Sequence, residues 1–278
     1  MHHNRFTFIT LCIAVSFNAA GLANTDMNDK GKALAQLVDD RDLGYQDSVA
    51  NMVMTITNSS GKSTIRKLEL KLLETEGNNG GDKSLMKFSF PADIRGTALL
   101  THPSVDSDDS QWLYLPSINR TKRISSRNKS GSFIGSEFSF EDLSDKSVDD
   151  FTYQYLGEQN CEFSIIDTIA KTNKTISGQC DKLARVPNDK HSGYSKQELL
   201  IDKEAQRIIA IDYYDVKGSL LKQMFSYNFR LYDGKYWRPD KIAVQNNQSG
   251  KSTALEYESI TFGNKLTSSK FTRNALKK

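Results

Sequence analysis

A two-residue alternation of apolar and polar side chains runs through most of this chain, and it constrains the fold more than any other feature. Apolar residues recur at every second position over residues 50–56 and, after a turn at residues 58–61, again over residues 68–72. Met86, Phe88 and Phe90 continue the same period. Such alternation is typical of strands that bury one face and leave the other in water.

The second half of the chain is predicted to consist almost entirely of strands separated by turn signals such as Asp233-Gly234. A chain of roughly a dozen antiparallel strands with few helices is expected to form one strongly curved sheet or an incomplete β-barrel. The predicted strands are Phe151–Gly157, Cys161–Ala170, Thr175–Leu183, Lys196–Ile201, Arg207–Tyr214, Leu220–Tyr232, Tyr236–Gln245 and Ser252–Phe262.

The dry face of such a sheet needs a cover, and two segments are predicted to supply a helical lid. Ala33, Leu34, Leu37 and Val38 recur at helical spacing before Gly44. Within the long polar segment of residues 117–147, Ser139 precedes Asp142 at capping-box spacing, which predicts a short helix over residues 140–143. A lid over a curved sheet can enclose a cavity.

The first residues have the features of a secretory signal peptide. Arg5 precedes an apolar run over residues 6–17, and small residues lead to Ala23, after which we expect cleavage. Removal of residues 1–23 leaves 36 basic and 34 acidic side chains, a net charge of +2 that does not favour nucleic-acid binding. Residues 24–278 are predicted to form a single exported domain, with no later stretch of membrane-spanning length.

Two cysteines, Cys161 and Cys180, remain in the mature chain. In an oxidising compartment an isolated pair favours a disulfide, which would stabilise the fold by about 3 kcal/mol. The alternative is two reduced and unrelated thiols.

The patterns of reactive residues do not favour catalysis. His102 and His191 lack second ligands at metal-binding spacing, so no metal site is predicted, and no cofactor is expected. Ser132 is the second residue of a Gly-Ser-Phe-Ile-Gly run, whereas a nucleophile elbow needs serine third. We therefore predict that the protein is not an enzyme.

Aromatic and basic residues are concentrated between residues 88 and 143. One interpretation is an apolar pocket with cations at its mouth, which suits an amphiphile with an anionic head; the other is core aromatics beside a solvated basic loop. The predicted ligand-binding residues are Phe88, Phe90, Ile94, Arg95, Leu99, Trp112, Tyr114, Phe133 and Phe138. Arg120, Lys122 and Arg123 are predicted to meet a headgroup or a partner.

The same segment resembles a known family. Residues 90–96 read Phe-Pro-Ala-Asp-Ile-Arg-Gly, residues 109–116 read Asp-Ser-Gln-Trp-Leu-Tyr-Leu-Pro, and residues 128–143 continue the pattern. Together they are similar to the LolA-like superfamily of outer-membrane lipoprotein-sorting proteins, in its larger periplasmic branch. The resemblance implies an incomplete barrel that binds acyl chains, a periplasmic location and an inner-membrane transporter of the resistance-nodulation-division (RND) type as partner. It also implies that Arg95 helps to close the lid, with a structural salt bridge as its competing role.

The sequence patterns and the family resemblance are compatible with two functions. The first is a carrier that binds a lipid or lipidated molecule, such as a lipoprotein, and moves it between an inner-membrane transporter and the outer membrane. Transient contact with a membrane is compatible with it. The second is a regulatory or structural adaptor of the same fold, whose interior is filled by its own side chains and which binds another envelope protein.

Overall fold

The computed structural model describes residues 19–75, 81–104, 109–167 and 172–277. Residues 1–18 of the predicted signal peptide, which spans residues 1–23, lie outside these ranges. Across the described ranges, no helix is long and apolar enough to cross a membrane.

In the described residues, thirteen strands form one antiparallel sheet that curves without closing. β1 pairs with both β2 and β13, and the sheet ends at β6 on one side and at β7 on the other. The strands are β1 (Asp47–Thr57), β2 (Ser63–Leu73), β3 (Lys83–Phe90), β4 (Ala98–His102), β5 (Ser110–Leu115), β6 (Arg120–Ile124), β7 (Phe151–Asp167), β8 (Thr172–Pro187), β9 (Tyr194–Asp202), β10 (Arg207–Asp215), β11 (Leu220–Tyr232), β12 (Tyr236–Asn246) and β13 (Ser252–Phe262).

Pairing between β1 and β13 joins the two halves of the chain. Ser48 lies opposite Phe262 and Thr57 lies opposite Ser252, with a bulge at Asn51/Met52. Because every other neighbouring pair of strands is consecutive in the chain, this one long-range ladder turns two meanders, β1–β6 and β7–β13, into a single sheet.

In the described residues, one α-helix, α1 (Ala19–Asp40), covers the concave face of β7–β10. Its side chains Leu34, Ala35 and Val38 pack against a buried cluster that includes Tyr153 and Leu183. Gly31 lies so close to β7 that an added Cβ would stand 3.0 Å from the backbone nitrogen of Tyr155. A residue without a side chain is therefore what lets the helix approach the strand.

The other half of the concave face is covered by residues 125–147, which we call the covering segment. Its helical parts are single 3₁₀ turns at Ser126–Asn128 and Glu141–Leu143. The predicted capping box is present, because Ser139 N–H donates to Asp142 Oδ2 at 2.7 Å and Asp142 N–H donates to Ser139 Oγ at 3.1 Å. The cover of this half is thus mostly irregular chain, where the sequence predicts a helical lid.

Apolar residues on the outer face form separate clusters. The C-terminal residues Phe271 and Leu276 pack beneath β3–β5, against Leu85 and Leu100. The disulfide joins Cys161 to Cys180, whose Cα atoms are 5.7 Å apart, and packs against Ile209. These clusters cover parts of the sheet that face away from α1 and the covering segment.

Candidate functional site

The concave wall of the β1–β6 half is lined by apolar side chains from consecutive strands. They point to one side because their positions alternate along each strand. The wall includes Ala50, Met52 and Met54 of β1, Leu68 of β2, Met86 and Phe88 of β3, Leu99 of β4 and Leu113 of β5. Such a surface is suited to bind apolar groups.

The covering segment inserts aromatic rings into this wall. Phe133 has 0% of its surface exposed and stacks on Phe88, with ring centroids 5.7 Å apart. Phe140 meets Phe133 edge to face at 5.7 Å, and Phe138 joins the same cluster. The interior of this half is therefore largely filled by the chain's own side chains.

A tight turn presents Phe133 to the interior. Phe133 N–H donates to the Phe138 carbonyl at 2.7 Å, and Ser136 Oγ donates to the Phe133 carbonyl at 2.7 Å. Ile134 has a φ of 48°, a strained value for a β-branched residue. Arg66, whose guanidinium lies over the Phe88 ring, donates to the Ile134 carbonyl and so holds this turn.

A buried ion pair fastens the covering segment to β11. Lys222 Nζ is 2.5 Å from Asp142 Oδ2, both side chains are 4% exposed, and Lys222 also donates to the Glu137 carbonyl at 2.9 Å. Tyr194 OH donates to Asp142 Oδ1 at 2.7 Å. Burial and the Asp142 charge raise the pKa of Tyr194 well above its usual value, so the phenol keeps the proton that it donates.

Two further carboxylates of the covering segment are bonded to the sheet. Glu137 Oε2 accepts from Asn246 Nδ2 at 2.6 Å. Glu141 accepts from Ser192 Oγ at 2.5 Å and from Gly193 N–H at 2.9 Å. These contacts bridge the covering segment to the end of β12 and to the loop just before β9, both remote in the chain.

A cavity of about 260 Å³, which we call the inner cavity, remains between the wall and its covers. Leu70, Met86 and Leu99 line it from the sheet, and Leu143 lines it from the covering segment. Arg238 and four aspartates, Asp42, Asp82, Asp142 and Asp145, also line it. Its volume is slightly below the range of about 300–1,000 Å³ that is usual for small-molecule sites.

The structure brings five of the predicted ligand-binding residues together. Phe88, Leu99, Phe133 and Phe138 are in one buried cluster, and Ile94 packs against it. Of these, Leu99 also lines the inner cavity.

Four other predicted residues lie elsewhere. Trp112 and Tyr114 are on the outer face, packed with the C-terminal residues, because Leu113 between them faces inward. Phe90 is 47% exposed at the end of β3. Arg95 is exposed and its Nε–H donates to the Ser89 carbonyl at 3.2 Å.

The basic residues predicted to meet a headgroup or a partner lie on the edge strand β6. Arg120, Lys122 and Arg123 are all exposed, and Arg123 donates to Ser110 Oγ at 3.3 Å. Positive charge on an edge strand also discourages pairing with another sheet.

The sequence does not predict a functional role for three residues that the structure places at the site: Arg66, Lys222 and Arg238. Arg66 and Lys222 lie in strands in which apolar and polar residues alternate in the usual way, and their partners are distant in the chain, so no local pattern distinguishes them. Arg238, in a Tyr-Trp-Arg-Pro run, lies 5.3 Å from the Tyr45 ring centroid and forms an ion pair with Asp42. Only the neighbouring aromatic residues could have singled it out.

The described side chains hold no cluster of three or more His, Cys, Asp or Glu suited to a metal ion. A larger groove of about 930 Å³ lies on the outer face beside the disulfide. The concavity combines an apolar wall, a filled interior and a cover held by polar contacts.

One family model and several solved structures match this chain. A family model described as an uncharacterized protein matches residues 80–278. A solved domain from Vibrio parahaemolyticus, named as an outer membrane lipoprotein-sorting protein domain, is 40% identical, with 90% of this chain and 100% of that chain covered and a TM-score of 0.82. A DUF1329 family protein from Desulfovibrio piger is 29% identical, with 90% and 99% covered and a TM-score of 0.79.

A LolA superfamily protein from Nitrosomonas europaea is 19% identical, with 88% of this chain and 98% of that chain covered and a TM-score of 0.66. That likeness supports the fold alone. No curated protein matches the chain.

Proposed function

Because this chain belongs to a LolA-like family, we propose that it is a periplasmic carrier that binds a lipid or lipidated molecule in its concavity. It would move this cargo between an inner-membrane transporter of the RND type and the outer membrane. The predicted signal peptide over residues 1–23 and the Cys161–Cys180 disulfide are in keeping with an oxidising exported compartment.

The inner cavity is the observation that carries the proposal. Its apolar lining comes from Leu70, Met86 and Leu99 of the sheet and from Leu143 of the covering segment, and four aspartates also line it. Burial of an acyl chain contributes about 0.8 kcal/mol per methylene. No covalent chemistry is required of a carrier, so we propose a non-enzymatic role.

A cargo larger than the inner cavity would require displacement of the covering segment, at the cost of breaking its buried Lys222–Asp142 pair. Its aromatic rings occupy the concavity, while its anchors are side-chain hydrogen bonds and two ion pairs, Lys222–Asp142 and Lys129–Asp189, rather than strand pairing. Acyl chains that replaced Phe133 and Phe138 would restore apolar contacts to the wall. The exposed cations of β6, Arg120, Lys122 and Arg123, would then meet the transporter or a headgroup.

Native mass spectrometry of protein purified without detergent tests this proposal. We expect a bound lipid, and we expect Leu143→Trp, which fills the inner cavity, to lower the occupancy severalfold. Leu156→Trp, at a 41% exposed position of β7, is the matched control and should leave the occupancy unchanged. Protein that is free of lipid in repeated preparations and takes none up from vesicles would contradict a carrier role.

The adaptor is the second candidate, and the complete burial of Phe133 favours it. An interior packed with its own rings needs no cargo. The adaptor predicts capture of one stoichiometric envelope protein, to the same extent by the wild type and by Leu143→Trp.

A further inference from the structure

A second space, which we call the outer groove, has a volume of about 640 Å³ and lies where the sheet is incomplete. The pairing of β11 with β10 ends at Phe225, whereas β11 continues to Tyr232 and pairs there with β12. The last turn of α1 and the β9–β10 turn face this unpaired part of β11. The outer groove lies between these three elements.

The outer groove and the inner cavity share two lining residues, Asp42 and Arg238. The two side chains form an ion pair. The Arg238 guanidinium also lies 5.3 Å from the Tyr45 ring centroid and 5.6 Å from that of Phe262. One ion pair, held among aromatic rings, therefore stands between the outer groove and the inner cavity.

The lining of the outer groove is amphipathic. Val38, Ile208, Leu231 and Trp237 supply apolar surface. At its rim, Arg41 Nη1 donates to the Ala205 carbonyl at 3.0 Å and Lys235 Nζ donates to the Leu43 carbonyl at 2.7 Å.

Neutral carbonyls orient these two cations without cancelling their charge. By contrast, the other cations of the outer groove have acidic partners: Arg207 pairs with Asp202 and Arg238 pairs with Asp42. The lining also contains the Asp40 carboxylate, which accepts from Gln36 Nε2 at 2.8 Å, so Arg41 and Lys235 leave a net positive charge of one at the rim, which attracts an anion.

Gln206 adds an unsatisfied acceptor to the outer groove. It lines the groove, its backbone has a φ of 53°, and its Oε1 is buried with no hydrogen-bond partner within the described residues. A buried acceptor without a partner is unfavourable, and non-glycine residues in the left-handed region often lie at functional sites. A hydroxyl group of a ligand would satisfy it once the Gln206 side chain turned into the groove.

We propose that the outer groove is the mouth of the inner cavity and binds a single-chain amphiphile with an anionic head that carries hydroxyl groups. The head contacts Arg41, Lys235 and Gln206, and the acyl chain passes Trp237 and the Asp42–Arg238 ion pair toward Leu99. This assignment rests on the proposed carrier function and adds the location of the mouth and the class of ligand.

The chain contains two tryptophans, which makes the assignment directly testable. Trp237 lines the outer groove, whereas Trp112 packs on the outer face with the C-terminal residues. The probe is a lysophosphatidylglycerol whose acyl chain is brominated at its middle, because bromine quenches a tryptophan that it touches. Trp112→Phe, which retains Trp237, should lose most of its fluorescence, and Trp237→Phe, which retains Trp112, should lose little.

Charge reversal tests the rim. The double variant Arg41→Glu/Lys235→Glu should weaken binding of the probe about tenfold or more, the equivalent of one lost charge-assisted contact. Lys270→Glu/Lys277→Glu makes the same change in net charge on the C-terminal residues and should leave the affinity unaltered. Lysophosphatidylcholine with the same chain should bind more weakly than the probe.

Three results would overturn the assignment. If native mass spectra show bound lipid but the probe quenches Trp112 as strongly as Trp237, the mouth lies elsewhere and the carrier function stands. The same conclusion follows if both charge-reversed proteins bind equally well. If neither cellular lipid nor the probe binds at all, the carrier function and the mouth both fail.

Discussion

The two covers of the concave face are built on opposite principles. The covering segment has little regular structure, yet it places Phe133 at the centre of a buried cluster and fixes itself to β11 through the Lys222–Asp142 pair. Helix α1 is regular, yet it packs through the partly buried Leu34, Ala35 and Val38. Its ion pair, Lys32 with Asp149, has side chains that are 58% and 80% exposed.

This difference indicates which cover moves more easily. Regular structure satisfies the backbone of α1 internally, so a shift of the helix costs mainly the apolar contacts of Leu34, Ala35 and Val38 and exposes no buried charge. The covering segment satisfies much of its polarity through the sheet, so its displacement exposes buried charge. The outer groove lies beside the last turn of α1, the cover that is held less firmly.

Truncation of one apolar anchor in each cover should give the largest contrast. Phe133→Ala is expected to lower the free energy of unfolding by about 4 kcal/mol, because it leaves a cavity beside Phe88 and Phe140. Leu34→Ala, at a half-buried position of α1, should cost about 1–2 kcal/mol. Urea denaturation measures both, and equal losses would show that the two covers are held alike.

Removal of a lysine from each cover should give the next largest contrast. Lys222→Met leaves Asp142 buried without its cation and is expected to destabilise the fold by about 3 kcal/mol. Lys32→Met breaks an exposed pair and should cost less than about 1 kcal/mol.

A double variant shows whether the stability lost in Lys222→Met comes from the unpaired buried charge of Asp142. Lys222→Met combined with Asp142→Asn should recover part of the stability, because no buried charge remains. If the double variant were less stable than Lys222→Met alone, that explanation would be wrong.

The two covers meet at an acidic corner, where a smaller and pH-dependent effect is expected. Asp39 belongs to α1, Asp145 belongs to the covering segment, and Asp82 N–H donates to Asp145 Oδ2 at 2.7 Å. Burial, reinforced by the Asp145 charge, raises the pKa of Asp39 to about 6 and that of Asp82 to about 7. The folded state therefore keeps protons that the unfolded chain has already released.

Asp82→Asn tests this corner. Because the folded-state pKa is raised, the contribution of Asp82 to stability is lost as the pH rises from about 4 through 7. The variant should be more stable than the wild type by about 1–2 kcal/mol at pH 8 and nearly equal to it at pH 4. Thermal denaturation across this range measures the difference, and a gap that stays constant with pH would contradict the assignment.

Much of the strand layout could be predicted, because alternation and turn signals are local. β11 and β13 begin and end where the sequence predicts them. β7 is one strand where two are predicted, since the chain bulges near Gly157 and continues. The β1–β13 ladder could not be predicted, because no local pattern records which distant strands pair.

The site was only partly predictable, and for a related reason. The burial of Phe88, Leu99 and Phe133 in one cluster is predictable, because large apolar residues in one segment tend to share a core. Trp112 and Tyr114 were placed with them, although the period-two rule already assigns both rings to the face opposite Leu113. Arg66 and Lys222 gain their roles only from partners far along the chain.

The open edges of the sheet have a consequence for the evolution of the interior. In a closed barrel, the number and stagger of the strands determine the diameter of the interior. Here β6 and β7 do not pair with each other in the described sheet, and the covering segment connects them in sequence. Insertions or deletions in that one connection could therefore resize the interior for a different cargo without altering a single strand register.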